Sequence, residues 1–256
     1  MRRHALALPL LLFSLLFLPC CKGLALTPTP PGLTGASPAG PDGQELIIGP
    51  GEELRIENAI LIHTGDIIID GGRLVLENAT LFVSQSYEDY KYNITVRDGG
   101  EIVLFSSQLL SDAKMNMSFF DAAGLVGYRA RIPMCLKFYG TSRANISVSG
   151  LWAVELYDNA SLTAVRCGMA NLTCCGSSRA LMVDSSVSYV SVADNASASF
   201  STTVYVEVLL RGEPVEGASV RAYYNGTLVA AGTTNSNGLV QICLLYTSDA
   251  ADDGES

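Results

Sequence analysis

Five residues of one ten-residue segment, SQSYEDYKYN (Ser84 to Asn93), pair aromatic rings with carboxylates: Tyr87, Glu88, Asp89, Tyr90 and Tyr92. Tyrosine rings stack on the apolar faces of sugars, and carboxylates accept hydrogen bonds from sugar hydroxyls, so this grouping is a candidate carbohydrate-binding site. A solvated loop that is rich in tyrosine is the competing reading of the same residues. Nucleophilic chemistry has less to work with. Beyond the first 25 residues the chain has a single histidine, His63, and no G-x-S-x-G elbow, H-E-x-x-H pair or glycine-rich phosphate loop accompanies it. His63 is therefore expected to be a structural or surface residue. Cys135, Cys167, Cys174 and Cys175 lack metal-ligand spacing, since zinc would want histidines or a second Cys pair, and neither a metal nor a cofactor is expected. These cysteines are expected to include members of apolar ladders; a disulfide involving Cys167 is the alternative in an exported chain.

The elements that carry these residues follow from a repeated phrase. RIENAILIHTGDIIIDGGRLVLENATLFV, Arg55 to Val83, contains E-N-A-I-L-I at Glu57 and E-N-A-T-L-F at Glu77. Segments beginning at Gly51, Gly71 and Gly99 align as G-E-E-L-R-I-E-N-A, G-G-R-L-V-L-E-N-A and G-G-E-I-V-L-F-S-S, with the Tyr-rich segment accommodating the longer second interval. V-E-L-Y-D-N-A-S-L at Val154 returns as V-S-V-A-D-N-A-S-A at Val190, and L-T-C-C-G-S-S-R-A at Leu172 lies between them. Each repeat holds short alternating runs divided by Gly, Asn and Asp, which is strand-and-corner chemistry, and no sustained helical period appears. Strands this short cannot bury their apolar side chains alone, so successive turns must stack about 4.8 Å apart to share a core. The frame of leucine-rich repeats is absent. The prediction is an all-β solenoid in which Leu54, Leu74 and Ile102 occupy equivalent rungs, as do Ile56, Leu76 and Leu104.

Over Glu45 to Phe200 this pattern resembles the right-handed parallel β-helix proteins of the pectin-lyase-like group. The resemblance implies that polysaccharide-cleaving members carry carboxylates, often with calcium, and a basic residue on one outer face. Asp112, Lys114, Asp121, Arg129, Arg131 and Lys137 fall within SDAKMNMSFFDAAGLVGYRARIPMCLK, Ser111 to Lys137, which reads as an excursion interrupting the repeat. Long excursions from a rigid scaffold are where function tends to sit. Asp112, Asp121, Arg129 and Arg131 are thus the candidate acid/base cluster of a polysaccharide lyase or glycoside hydrolase, and scattered surface charge accounts for them equally well.

The flanks differ from the repeat. Residues 1–25 have a basic head, an apolar run and a small-residue cleavage site at Gly23-Leu24-Ala25, the pattern of a secretory signal. Pro19 before Cys20 argues against lipidation. Residues 26–43 are a linker rich in Pro, Thr and Gly, and residues 44–202 are the expected β-helix. From Thr203 to Ile242 the frame G-E-P-V-E-G-A-S-V followed by T-N-S-N-G resembles half of a carboxypeptidase-regulatory-like, Ig-like β-sandwich module, a fold that serves as a spacer or adhesive unit. The tail CLLYTSDAADDGES, Cys243 to Ser256, is similar to a translated transposase adapter of sequencing libraries, and the natural chain is expected to continue past Ile242.

Acidic residues outnumber basic ones, 25 to 16, for a net charge of −9, and no basic run interrupts them. Nucleic acid is excluded as a partner on this ground. Eight asparagines stand in N-x-S/T triplets: Asn78, Asn93, Asn116, Asn145, Asn159, Asn171, Asn195 and Asn225. N-glycosylation of a secreted chain explains the excess; turn chemistry of Asn-Ala-Ser/Thr is the alternative. The expectation is a secreted or cell-surface glycoprotein with a structural or adhesive role. Its expected partners are polysaccharide or other surface proteins, and it would meet the membrane only through an anchor outside this fragment.

Overall fold

A computed structural model describes residues 36–37, 43–224 and 226–249. The expected signal, most of the linker, Asn225 and the end of the tail lie outside the described residues; within the linker, Ala36–Ser37 runs parallel to Ile60–Leu61. Every regular element described is a strand. Eight strands, Glu53–Glu57, Arg73–Glu77, Glu101–Phe105, Gly124–Tyr128, Arg143–Ser147, Ser161–Val165, Arg179–Val183 and Ser197–Glu207, form one ladder in which each pairs in parallel with the next. The molecule is a parallel β-solenoid of about eight turns.

Two further ladders complete each early turn. One contains Ile60–His63, Thr80–Val83 and Gln108–Ser111; the other contains Leu46–Ile48, Ile67–Asp70, Ile94–Arg97 and Asn116–Phe119. From Arg131–Phe138 onward the two merge into single long strands, Gly150–Leu156, Gly168–Cys174 and Ser186–Val192 following in turn, with a register shift between Ile132 and Cys135 marking the junction. Removing one corner shortens the turn. The rungs step from Glu53 to Arg73, Glu101, Gly124, Arg143, Ser161, Arg179 and Ser197, and the last three intervals are 18 residues each.

Register agrees with the sequence pattern. Leu54 pairs with Leu74 and Leu74 with Ile102; Ile56 pairs with Leu76 and Leu76 with Leu104. Val154, Leu172 and Val190 likewise share a rung position. Inward positions stack into apolar rows, including the pair Phe119 and Phe138, whose rings lie 4.5 Å apart and nearly parallel in the fully buried core. Deleting such a ring costs about 3–5 kcal/mol.

The corners explain why E-N-A returns. Where the eight-strand ladder ends, the chain turns through one left-handed residue at Asn58, Asn78, Ser106, Arg129, Val148, Arg166 and Asp184, all with φ between 47° and 53°. A small residue follows each, because it faces the interior. At the opposite corner, which leads back into that ladder, the left-handed position is Asp121, Gly140, Asp158, Gly176 and Asp194. Asp158 Oδ2 accepts the amide of Gly140 at 3.0 Å, and Asp194 Oδ2 accepts that of Gly176 at 3.0 Å. A Cβ on Gly176 would lie 2.9 Å from the Asp158 nitrogen, so the alternation of Asp and Gly is enforced by packing as well as by φ.

Three expectations change. Ser111 to Lys137 is no excursion: Asn116–Phe119, Gly124–Tyr128 and Arg131–Phe138 continue all three ladders. Met115, Met117, Phe119, Ala123 and Met134 share its interior with Leu125, Ile132 and Leu136. Second, the disulfide alternative at Cys167 is not realised, and the cysteines divide, with Cys174 joining an apolar ladder as expected. Cys174 sits in an inward row beside Leu156, Cys167 is buried at a corner, and Cys135 and Cys175 face outward; all four are free thiols. Third, Ser197–Glu207 pairs antiparallel with Leu239–Asp249 over its whole length, so residues on both sides of position 203 belong to one strand that continues the solenoid sheet. Two hairpins, Leu209–Leu210 with Glu213–Pro214 and Ser219–Tyr224 with Thr227–Thr233, lie between these strands.

Candidate functional site

The Tyr-rich segment replaces a three-residue corner between Thr80–Val83 and Ile94–Arg97. Its anchor is Gln85, a fully buried side chain that donates from Nε2 to the Tyr92 carbonyl at 2.9 Å and accepts the Tyr92 amide at 2.7 Å. That pair closes the segment into a loop. Asp112, from the next turn, holds the loop's root: its Oδ1 accepts the Gln85 amide at 2.6 Å and its Oδ2 accepts the Ser84 hydroxyl at 3.2 Å. Asp89 ties the loop's crown to the same neighbouring turn. It accepts the Lys114 amide at 3.0 Å and meets the Lys114 ammonium at 3.2 Å. The Lys114 amide, then the ammonium, hold the Asp89 carboxyl below the usual carboxylate range.

This anchoring forces unusual backbone. Ser86, Tyr87 and Tyr90 all have positive φ, 54°, 64° and 60°. Bulky residues rarely adopt that region, and such strain persists only where the surroundings over-determine it. Tyr87 and Tyr90 are 79% and 52% exposed, whereas Tyr92 packs against the core with Lys91 over its ring. Glu88 is paired with Lys91 at 3.5 Å. Of the five predicted residues, then, Tyr87 and Tyr90 are presented outward, Asp89 and Tyr92 hold the loop, and Glu88 lies at its exposed edge.

The four residues of the candidate acid/base cluster are not brought together. Asp112 serves the loop root, Asp121 is the left-handed residue of the corner entering the eight-strand ladder, and Arg129 and Arg131 lie at the corner leaving it. They occupy three different edges of the turn. Arg129 packs over the ring of Tyr128 at 5.2 Å. His63 is half-buried with Nε2 3.3 Å from the Asp66 carbonyl.

A cluster that sequence reasoning missed lies on the outer face of the merged strands. Glu155 Oε2 accepts the Tyr157 hydroxyl at 2.9 Å and lies 3.6 Å from Lys137 Nζ, while Cys135 Sγ donates to Oε1 at 3.4 Å. Burial, and then Glu155, push the Cys135 thiol up to about 11. Burial pulls Lys137 down, but Glu155 outweighs it and leaves the ammonium above its ordinary value. Tyr157 also closes a row of stacked rings, Phe120, Tyr139 and Tyr157, spaced 5.0 and 4.9 Å. The signal that could have found the cluster is the 18-residue period, which places Glu155 beside Lys137.

None of the described sequon asparagines is buried. Asn78, Asn145, Asn159 and Asn195 are exposed, and Asn93, Asn116 and Asn171 are half-buried; Asn225 lies outside the described residues. Among the described residues, no helix is long and apolar enough to cross a membrane. The chain matches no protein-family model, no curated protein and no solved structure. Likeness to the pectin-lyase-like group therefore rests on the repeat pattern, and likeness to Ig-like modules on sequence alone.

Proposed function

We propose that this is a secreted or cell-surface glycoprotein with a structural or adhesive role, in which the solenoid is the rigid stalk and the Tyr87–Tyr90 loop contacts carbohydrate. One observation carries the reading: two exposed tyrosines stand in strained backbone that Gln85, Asp112 and the Asp89–Lys114 pair hold in place. Preorganised aromatic rings lose little entropy when a sugar stacks on them, and Glu88 beside them accepts hydroxyl hydrogen bonds. A polysaccharide lyase or hydrolase needs acids converging with a base on one groove, whereas Asp112, Asp121 and the Arg129–Arg131 pair stand on three edges of the turn.

A glycan array probed with the protein and with a Tyr87→Ala/Tyr90→Ala variant tests the loop. Binding by the native protein and its loss in the variant, at an unchanged melting temperature, is the expected result; equal binding by both ends the proposal for this loop. Cell fractionation tests the location. Recovery at the surface or in the medium with N-linked sugar is expected, and recovery in the cytosol without sugar would sink it.

A further inference from the structure

The register of the eight-strand ladder lays its outward side chains in rows. The row that opens each strand runs Glu53, Arg73, Glu101, Gly124, Arg143, Ser161, Arg179, Ser197. Its first half is self-compensating: Arg73 lies 3.6 Å from Glu53 and 2.9 Å from Glu101. Its second half holds no acid. Among the described residues neither Arg143 nor Arg179 has an ion-pair partner. The carboxylates at the adjacent corner, Asp158 and Asp194, are engaged by the amides of Gly140 and Gly176.

Arg143 and Arg179 stand two rungs apart, about 9.6 Å between their Cα atoms at the ordinary strand spacing, with only Ser161 between them. The two arginines line a cleft of about 490 Å³ together with Ser161, Ser177, Asn145 and Asn159. Every side chain named offers a hydrogen bond, and the only charges are the two guanidiniums.

We propose that this cleft binds a sulfate or phosphate ester carried on a hydroxyl-rich ligand. Two guanidiniums lining one cleft offer more donors than the two oxygens of a carboxylate can use, and they match an oxyanion with three terminal oxygens. The serine hydroxyls and asparagine amides suit the hydroxyls of the carrier. A chain with net charge −9 repels anions at long range, so capture of a polyanion has to come from a local site. The cleft is separate from the Tyr87–Tyr90 loop, which lies at another corner of an earlier turn. Asn145 and Asn159, which line the cleft, are also sequon asparagines, so anion capture requires that these two stay unmodified while other sequons carry the sugar of the glycoprotein reading.

The test uses the full chain made without N-glycans, passed over immobilised dextran sulfate, phosphomannan and neutral dextran in physiological salt. Retention on the sulfated or the phosphorylated polymer, and not on dextran, is expected, and which of the two is retained identifies the ester. Arg143→Ser/Arg179→Ser should lower affinity about tenfold or more. Arg129→Ser/Arg131→Ser removes the same charge at a different corner and should change affinity less than about twofold, as a screened, distant pair would. Tyr87→Ala/Tyr90→Ala should leave retention unchanged. Retention of neither charged polymer, equal retention of dextran, or equal losses in the two arginine pairs would overturn the proposal. Unchanged circular dichroism melts confirm that the variants are folded.

Discussion

The side-chain amide of Asn78 donates from Nδ2 to Oδ1 of Asn58 at 2.9 Å, one turn of the solenoid away, and both residues hold a left-handed backbone, φ 49° and 51°. Asparagine is among the few residues with a side chain that tolerate this conformation. Val148 occupies the same corner position with φ 52°, and a β-branched residue there is strained. Val148→Asn is therefore expected to stabilise the protein by about 1 kcal/mol, a fraction of the left-handed penalty of about 1–2 kcal/mol. Asn58→Val should destabilise it by at least as much. Urea unfolding measures both, and a loss of stability in Val148→Asn would show that the corner's φ is not the limiting factor.

Asp112 is expected to act on the sugar-contacting loop as a positioning residue. Its carboxylate accepts two hydrogen bonds from Ser84 and Gln85, and bonds to a charged group are worth about 1.5–3 kcal/mol. Asp112→Ala should weaken any glycan binding that depends on Tyr87 and Tyr90 and should raise hydrogen exchange at the Gln85 and Tyr92 amides. Loss of binding with exchange unchanged would mean that Asp112 touches the ligand itself.

Ser142 is a buried hydroxyl with no hydrogen-bond partner among the described residues, at a corner position where Ala123, Ala160 and Ala196 stand in other turns. An unsatisfied buried hydroxyl costs about 1–3 kcal/mol. Ser142→Ala removes the cost without opening a cavity and should raise the melting temperature. A lower melting temperature would imply that a water satisfies the hydroxyl.

The repeat was legible where Leu, Ile and Val fill the inward positions and Asp-Gly-Gly marks a corner, as at Leu74 and Ile102. It was not legible through Met115, Met117, Phe119 and Ala123, because flexible or small residues blur the alternation while packing the same interior. The Tyr-rich segment announced itself by composition. Its anchors did not: Asp112 reaches Gln85 from the next turn, and that contact exists only once the register is known. Sequence position alone makes Asp112 a candidate acid, whereas its carboxylate accepts the Gln85 amide and the Ser84 hydroxyl at the loop root. The Lys137–Glu155 pair is hidden in the same way, since neither residue has its partner nearby in sequence.

The buried thiol of Cys174 should make the protein sensitive to alkali. Burial, and then the neighbouring Cys175, push it up from an ordinary 9.0 to about 12, with Ser178 offsetting part of the shift. A group held protonated in the folded state stabilises nothing extra below the unfolded pKa, because both states then carry the proton. As pH rises above about 9 the unfolded chain ionises first and binds fewer protons, so stability falls until the folded thiol also ionises near 12. Each such thiol contributes a slope of about 1.4 kcal/mol per pH unit in that window. Cys174→Val places an apolar side chain in an inward row that already holds Leu156 and Val192 and removes the titration. The stability lost between pH 9 and pH 10, read from urea midpoints, should be smaller by about 1 kcal/mol in the variant. Parallel pH profiles for the two proteins would place the alkaline transition elsewhere, with Tyr157, whose hydroxyl is also raised by burial and by Glu155, the next group to remove.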